Sequence, residues 1–86
     1  MANVEEVKVN VATSVAGSER AIVGIQAVAE QLDQSLALMR LTAVGSLHPA
    51  AAAAIASLQQ ARERLDEATQ LTRAAMDSAN QFRSLI

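Results

Sequence analysis

Val44-Gly45-Ser46-Leu47-His48-Pro49 is the strongest break in this chain of 86 residues. Gly45 suits the left-handed conformation that often follows a helix C-terminus, and Pro49 suits the first turn of a new helix. The segments on either side of the break are nearly equal in length, and neither contains another interruption of this strength. The stretch therefore predicts a tight turn between two long helices.

Local signals place the ends of these helices. Asn3 is followed three residues later by Glu6, the spacing of a capping box, so the first helix should begin near Val4 and cover about residues 4–43. After Pro49 the chain is rich in good helix formers and has no further Gly or Pro, which predicts a second helix over about 49–85. We therefore expect an all-α fold, an antiparallel two-helix hairpin in a single domain, 1–86. The alternation of Val7, Val9 and Val11 with polar residues is a weak strand signal without a partner strand.

The first helix carries two apolar stripes. Bulky residues recur at spacings of four and three, the heptad spacing of a packed helix face. A second stripe of small residues has the same spacing and lies about a quarter turn away. The bulky stripe consists of Val11, Val15, Ser18, Ile22, Ile25, Ala29, Leu32, Leu36, Met39 and Ala43, and the small stripe of Ser14, Gly17, Ala21, Gly24 and Val28. A helix in a four-helix bundle contacts two neighbours and needs two such faces.

The second helix also shows two heptad rows. One row mixes large and small residues and includes Leu58 and Leu65, and the other is almost pure alanine. The first row is Ala51, Leu58, Leu65, Thr72, Ala79 and Ile86, and the second is Ala54, Ala61, Ala68, Ala75 and Phe82. Small side chains at every seventh position allow two helices to approach closely.

These patterns suggest that one face of each helix closes the hairpin and the other face contacts a second chain. We expect the small faces to close the hairpin, through Gly17, Ala21, Gly24, Ala61, Ala68 and Ala75. The bulky residues are then left to bury against a second chain in a dimeric four-helix bundle, through Val11, Val15, Ile22, Ile25, Leu32, Leu36, Met39, Leu58, Leu65 and Phe82. A turn centred near Ser46 would place Glu19 near Arg73 and Glu30 near Arg62. The opposite assignment of the two faces remains open at this stage.

The composition favours association over a self-sufficient monomer. Apolar residues make up 51% of the chain, but 19 of them are Ala and Phe82 is the one aromatic residue. A chain of this size usually needs cross-links or partners to be stable, and it has no Cys. The formal net charge of -2, without a basic cluster, excludes nucleic acid as an expected partner. No apolar run is long enough for a transmembrane segment, and a signal peptide is not expected.

No arrangement of residues predicts chemistry. His48 is the one imidazole, and its place before Pro49 predicts a helix cap or an exposed turn residue. The carboxylates Glu63, Asp66 and Glu67 alternate with arginines, as on a solvated charged face. We therefore expect no enzyme, with no catalytic residues, no cofactor and no metal ligands.

In overall plan the chain resembles the small helical-hairpin proteins of type VII (ESX) secretion, the Trp-x-Gly family. At the turn, Ala43-Val44-Gly45 keeps the family's Gly and lacks its Trp. The C-terminal Tyr-x-x-x-Asp/Glu signal corresponds to Phe82-Arg83-Ser84-Leu85-Ile86, where the aromatic ring remains and the acid is missing. The resemblance implies a homodimer, or a complex with a helical domain of a larger protein, in a Gram-positive bacterium; the high alanine content is compatible with an actinobacterial source.

These observations lead to one functional expectation with two alternatives. The resemblance implies a cytoplasmic adaptor, chaperone or targeting partner of a larger effector, with any export following a route that needs no signal peptide. The heptads alone are equally compatible with a structural coiled-coil homo-oligomer. A small regulatory binding protein would use the same surface.

Overall fold

The computed structural model describes residues 3–86 and contains two long helices joined by a short turn. Helix α1 covers Val4–Thr42 and helix α2 covers Pro49–Leu85. The helices pack side by side into a rod of 63 × 19 × 16 Å. The predicted antiparallel hairpin is confirmed, with both helix boundaries within a residue of expectation. In the part of the chain that the structure describes, no strand forms at Val7, Val9 and Val11.

Helix α1 is capped at both ends by the residues that the sequence indicates. The Asn3 Oδ1 atom accepts a hydrogen bond of 2.7 Å from the backbone N–H of Glu6, which satisfies one of the free donors of the first turn. At the other end, the N–H of Ala43 donates to the carbonyl of Met39. Gly45 then adopts a φ of 76°, a left-handed conformation that glycine tolerates best, and the chain turns.

Helix α2 begins with a histidine cap. The Nδ1 atom of His48 accepts a hydrogen bond of 3.1 Å from the N–H of Ala50, and Pro49 occupies the first helical turn, where its missing N–H costs nothing. The Ser46 hydroxyl accepts a bond from the His48 N–H. The predicted capping role of His48 is therefore confirmed.

The core of the hairpin is a single row on α1. Val15, Ile22, Ala29 and Leu36 are the buried side chains, spaced seven residues apart, and they face α2. The remaining members of the bulky stripe flank this row and are all partly buried. The bulky stripe thus closes the hairpin.

The small residues do not close the hairpin, so our assignment of the two faces was wrong. Gly24 and Ala21 are exposed, and a Cβ atom built on Gly24 would meet no atom within 4 Å. On α2, Ala61 and Ala75 are exposed as well, while Gly17 and Ala68 are partly buried at the margin of the contact. Burying branched aliphatic side chains removes more apolar surface from water than burying Gly and Ala does. The bulky stripe of α1 therefore packs against α2.

The face that α2 presents to α1 also differs from expectation. Its partly buried residues follow spacings of four and three from the row of Leu58 and Leu65 to a neighbouring row that the sequence argument passed over. That neighbouring row is Ile55, Arg62, Thr69 and Met76. It replaces the alanine row as the second line of contact, and it offers larger side chains to α1.

The buried row supports a direct test of the hairpin. Ile22 is 8% exposed and its neighbour Val23 is 66% exposed. Ile22→Ala should lower the free energy of unfolding by about 2–3 kcal/mol, because it removes buried methylenes from a core with little else in it. Val23→Ala should change it by less than about 0.5 kcal/mol. Urea unfolding followed by circular dichroism at one protein concentration gives both values, and equal effects would contradict the rotation of α1 described here.

The cap of α2 can be improved. No acidic residue lies in the first turn of α2, so the partial positive charge of its N-terminus is uncompensated there. His48→Asp should raise the stability by about 0.5–1 kcal/mol at neutral pH, since an aspartate both caps and opposes the helix dipole. His48→Asn keeps the capping hydrogen bond without adding a charge, so its stability should rise by less than that of His48→Asp. A melting temperature that falls in both variants would show that the His48 ring has another role.

Candidate interaction surfaces

Two long sides of the rod flank the line of contact between the helices, and they differ in charge. On one of them an open groove of about 390 Å3 lies between α1 and α2. Ionisable side chains from both helices dominate its rim, and we call this the charged side. The groove is lined by Ile25, Gln26, Ala29, Glu30, Arg62, Asp66, Thr69 and Arg73.

Arg62 is the centre of the charged side. Its Nε atom donates a hydrogen bond of 3.0 Å to Oδ1 of Asp33 on α1, and its Nη1 atom donates to Oδ1 of Asp66 on its own helix. The bond to Asp66, followed by the bond to Asp33, raises the pKa of the Arg62 guanidinium above its ordinary value. The side chain is 30% exposed. Its aliphatic stem lies along the contact between the helices while its charged head reaches the rim.

The Arg62–Asp33 pair connects the two helices across the charged side. It is the one ion pair between the helices in residues 3–86; the other two pairs, Arg62–Asp66 and Arg64–Glu67, lie within α2. The expected Glu30–Arg62 and Glu19–Arg73 pairs are not formed. Ala29 and Glu30 line the groove beside Arg62, as a turn centred near Ser46 implies, and the long arginine side chain reaches along the rod to Asp33.

The groove presents charged and polar side chains from both helices, together with Ile25 and Ala29. Its two cations, Arg62 and Arg73, face two carboxylates, Glu30 and Asp66. Across the described residues, no three His, Asp or Glu side chains are grouped to hold a metal ion. His48, the one imidazole, is engaged at the cap of α2 in the turn.

The opposite side of the rod carries mostly small side chains, with Arg64 between Ala61 and Ala68, and we call it the open side. It consists of Ser14, Gly17, Ala21, Gly24 and Val28 on α1, and Ala54, Ala61, Ala68, Ala75 and Phe82 on α2. On α1 these residues lie a quarter turn from the buried row, in the direction away from Gln26 and Glu30. On α2 they lie away from Asp66 and Arg73. The two small rows that we expected to face each other thus lie side by side on one surface.

The turn end of the rod is apolar and exposed. We call Leu38, Leu41, Val44 and Leu47 the tip patch; Leu47 is 97% exposed and Leu41 is 74% exposed. Between residues 34 and 61 the chain carries one charged side chain, Arg40. Large exposed apolar side chains grouped in this way are typical of a docking surface.

The predicted interface residues fall in two places. The aliphatic residues of α1 together with Leu58 and Leu65 lie in the contact between α1 and α2, so they are occupied within the chain. Phe82 is 49% exposed, at the end of the alanine row on the open side. Arg62 and its row escaped the sequence argument because a charged residue at a core position argues against a core row. The spacing of 51, 55, 58, 62, 65, 69, 72, 76 and 79 was the available signal.

Neither helix, over residues 3–86, has a segment long and apolar enough to cross a membrane. Comparison of the chain with protein-family models, curated protein sequences and solved structures finds no match. The functional argument therefore depends on the surfaces described above.

Substitutions can separate the contribution of the Arg62 charge from that of its aliphatic stem. Arg62→Leu keeps an aliphatic side chain in the contact and removes the charge, so we expect stability to be retained or increased. Arg62→Glu would group three carboxylates with Asp33 and Asp66 and should lower the urea midpoint clearly. Unfolding at low and high salt checks the cause, since the deficit of Arg62→Glu should shrink at 1 M NaCl. A deficit that salt leaves unchanged would point to lost packing instead.

Proposed function

We propose that the chain is a non-enzymatic helical interaction protein that serves as an adaptor or chaperone-type partner of a larger protein. The observation that carries the proposal is the tip patch, where four large apolar side chains are exposed in a segment with a single charge. A two-helix rod presents such a patch at a fixed distance from its other end. The charged side and the open side then remain available for other contacts.

The thin core of the hairpin supports an interaction role. Four side chains are buried, and within the described residues none of the buried ones is polar or charged. One row of contacts leaves little stability to spare in a chain of this size. Binding a partner that prefers the folded rod would add stability by mass action. This behaviour suits a protein that acts in complexes.

The resemblance to the Trp-x-Gly hairpins of type VII secretion suggests which partner the chain binds and in which kind of cell. In this setting the partner is a helical domain of a larger effector, and the hairpin accompanies it in the cytoplasm of a Gram-positive, actinobacterial host. Export would follow the partner's route, without a signal peptide. The turn glycine and the C-terminal aromatic residue, Gly45 and Phe82, support this part of the proposal.

A structural coiled-coil homo-oligomer is the second candidate. The seven-residue spacing of Val15, Ile22, Ala29 and Leu36 favours it, because such a seam needs no foreign partner to form. A regulatory binding protein would use the same tip patch. The two candidates differ in whether a second kind of chain co-purifies.

The adaptor proposal predicts a matched pair of variants. Leu41 in the tip patch is 74% exposed and Leu71 on α2 is 71% exposed, so replacing either by Ser removes similar exposed apolar area. When the chain is co-expressed with the large product of an adjacent gene, Leu41→Ser should weaken the complex at least 10-fold, whereas Leu71→Ser should weaken it less than twofold. Affinity measured with the purified proteins by calorimetry decides the matter. A chain that associates only with itself, or equal losses in the two variants, would contradict the adaptor role.

A further inference from the structure

We propose that the groove on the charged side receives an amphipathic helix of the larger partner, one that carries an acidic and a basic side chain two turns apart. Arg73 binds the acid, Glu30 binds the base, and apolar side chains between them lie on the floor of the groove. The inference rests on the proposed function for the source of this helix. It uses a surface separate from the tip patch, so the two can fail independently.

Three polar side chains of the groove are free to bond an incoming group. Within residues 3–86, Gln26, Glu30 and Arg73 form no side-chain hydrogen bond or ion pair, although all three line the groove. Each can therefore take a partner without breaking a contact of the hairpin. Arginine is enriched at protein interfaces, because its planar guanidinium is weakly hydrated and can make two parallel hydrogen bonds to a carboxylate. Arg73 is thus suited to an acidic side chain.

The floor of the groove is apolar. Ala29 is 6% exposed, and Ile25 is half-buried beside it. Val23, three residues before Gln26 on the same face of α1, is 66% exposed and extends the apolar surface away from the turn. An apolar strip with charges along its margins matches an amphipathic helix, whose apolar face lies in a groove while its polar side chains reach the rim. The apolar strip supplies affinity, and the charges at the rim select the partner.

The two free charges lie toward opposite ends of the groove and on different helices. Glu30 lies beside Arg62, and Arg73 follows Arg62 by 11 residues, which is about 16 Å along α2. Side chains on a helix lean toward its N-terminus. Because the helices are antiparallel, the Arg73 side chain leans toward the turn and the Glu30 side chain leans away from it, so their charged groups approach each other. A spacing of seven residues on the partner helix, about 10 Å, fits this shortened distance.

A helix suits this groove better than an extended segment does. Both walls of the groove are helices, α1 and α2, whose interior backbone N–H and C=O groups are bonded within each helix. An extended segment would find no backbone partners there, whereas a helix satisfies its own backbone groups. A groove length of about 16 Å corresponds to three helical turns. The partner helix would therefore pack between α1 and α2 as the third helix of a small bundle.

A synthetic peptide tests the groove directly. The probe is an alanine-rich peptide of about 18 residues, long enough to be helical in water, with one Glu, a Lys seven residues later and two Leu between them. In an NMR titration it should shift the amide signals of Gln26, Ala29 and Thr69. Arg73→Glu should raise the dissociation constant at least fivefold. Arg83→Glu makes the same charge change about 15 Å further along α2, beyond the groove, and should alter the constant less than twofold.

A charge swap separates a local contact from general attraction. In a second peptide, Lys replaces the Glu. This peptide should bind Arg73→Glu at least threefold more tightly than it binds the wild type, because opposite charges meet again at the same place. Arg83→Glu has the same net charge as Arg73→Glu and should not gain. Circular dichroism checks that both variants remain helical, and if Arg73→Glu unfolds, Arg73→Gln should still weaken binding of the first peptide at least threefold.

Three results would overturn the inference. If about 1 mM of the first peptide shifts no amide signal of the groove, the groove does not receive a helix of this kind. Shifts confined to the open side place the contact elsewhere. Equal losses in Arg73→Glu and Arg83→Glu show that the peptide responds to net charge and not to the groove.

The complex with the large product of the adjacent gene separates this inference from the adaptor role. In that complex Arg73→Glu should weaken binding at least fivefold and Arg83→Glu less than twofold. If Leu41→Ser weakens the complex and Arg73→Glu does not, the adaptor role stands and the groove assignment fails. If Arg73→Glu weakens the complex and Leu41→Ser does not, the groove assignment stands and the tip patch is not the docking surface.

Discussion

The contact of Val15, Ile22, Ala29 and Leu36 with α2 is the constraint on which the rest of the structure depends. These side chains recur every seven residues, so together they define one line along α1 and one rotation of that helix about its axis. Once this line faces α2, every other row of α1 has a fixed direction. Gln26 and Glu30 turn to one side and Ala21 and Gly24 to the other. The two sides of the rod follow from this one contact.

The rotation of α2 buries its larger apolar side chains and also places Arg62 in the contact with α1. Turning its alanine row inward would bury small side chains and leave Ile55 and Met76 in water. The observed rotation buries the larger side chains and brings Arg62 into the same line. The arginine is tolerated because its stem contributes apolar contact while its head reaches Asp33 and Asp66 at the rim. This rotation of α2 leaves the alanine row exposed or at the margin of the contact.

The consequence for function is a rod with three distinct surfaces. The charged side holds an open groove lined by both cations and carboxylates, the open side carries mostly small side chains, and the tip patch is apolar. Exposed apolar side chains grouped as in the tip patch are typical of a docking surface.

The sequence by itself determined the two helices, their ends and the turn, because Asn3, Gly45, His48 and Pro49 act on the backbone within a few residues of themselves. It also identified both stripes of α1, whose periodicity is a local property. Only the tertiary structure decided which stripe closes the hairpin and that Arg62 bonds Asp33 instead of Glu30. The face that closes the hairpin depends on the apolar area that both helices bury together. That area depends on the register, which the length of the turn sets. The sequence of one helix therefore cannot show which of its faces will be buried.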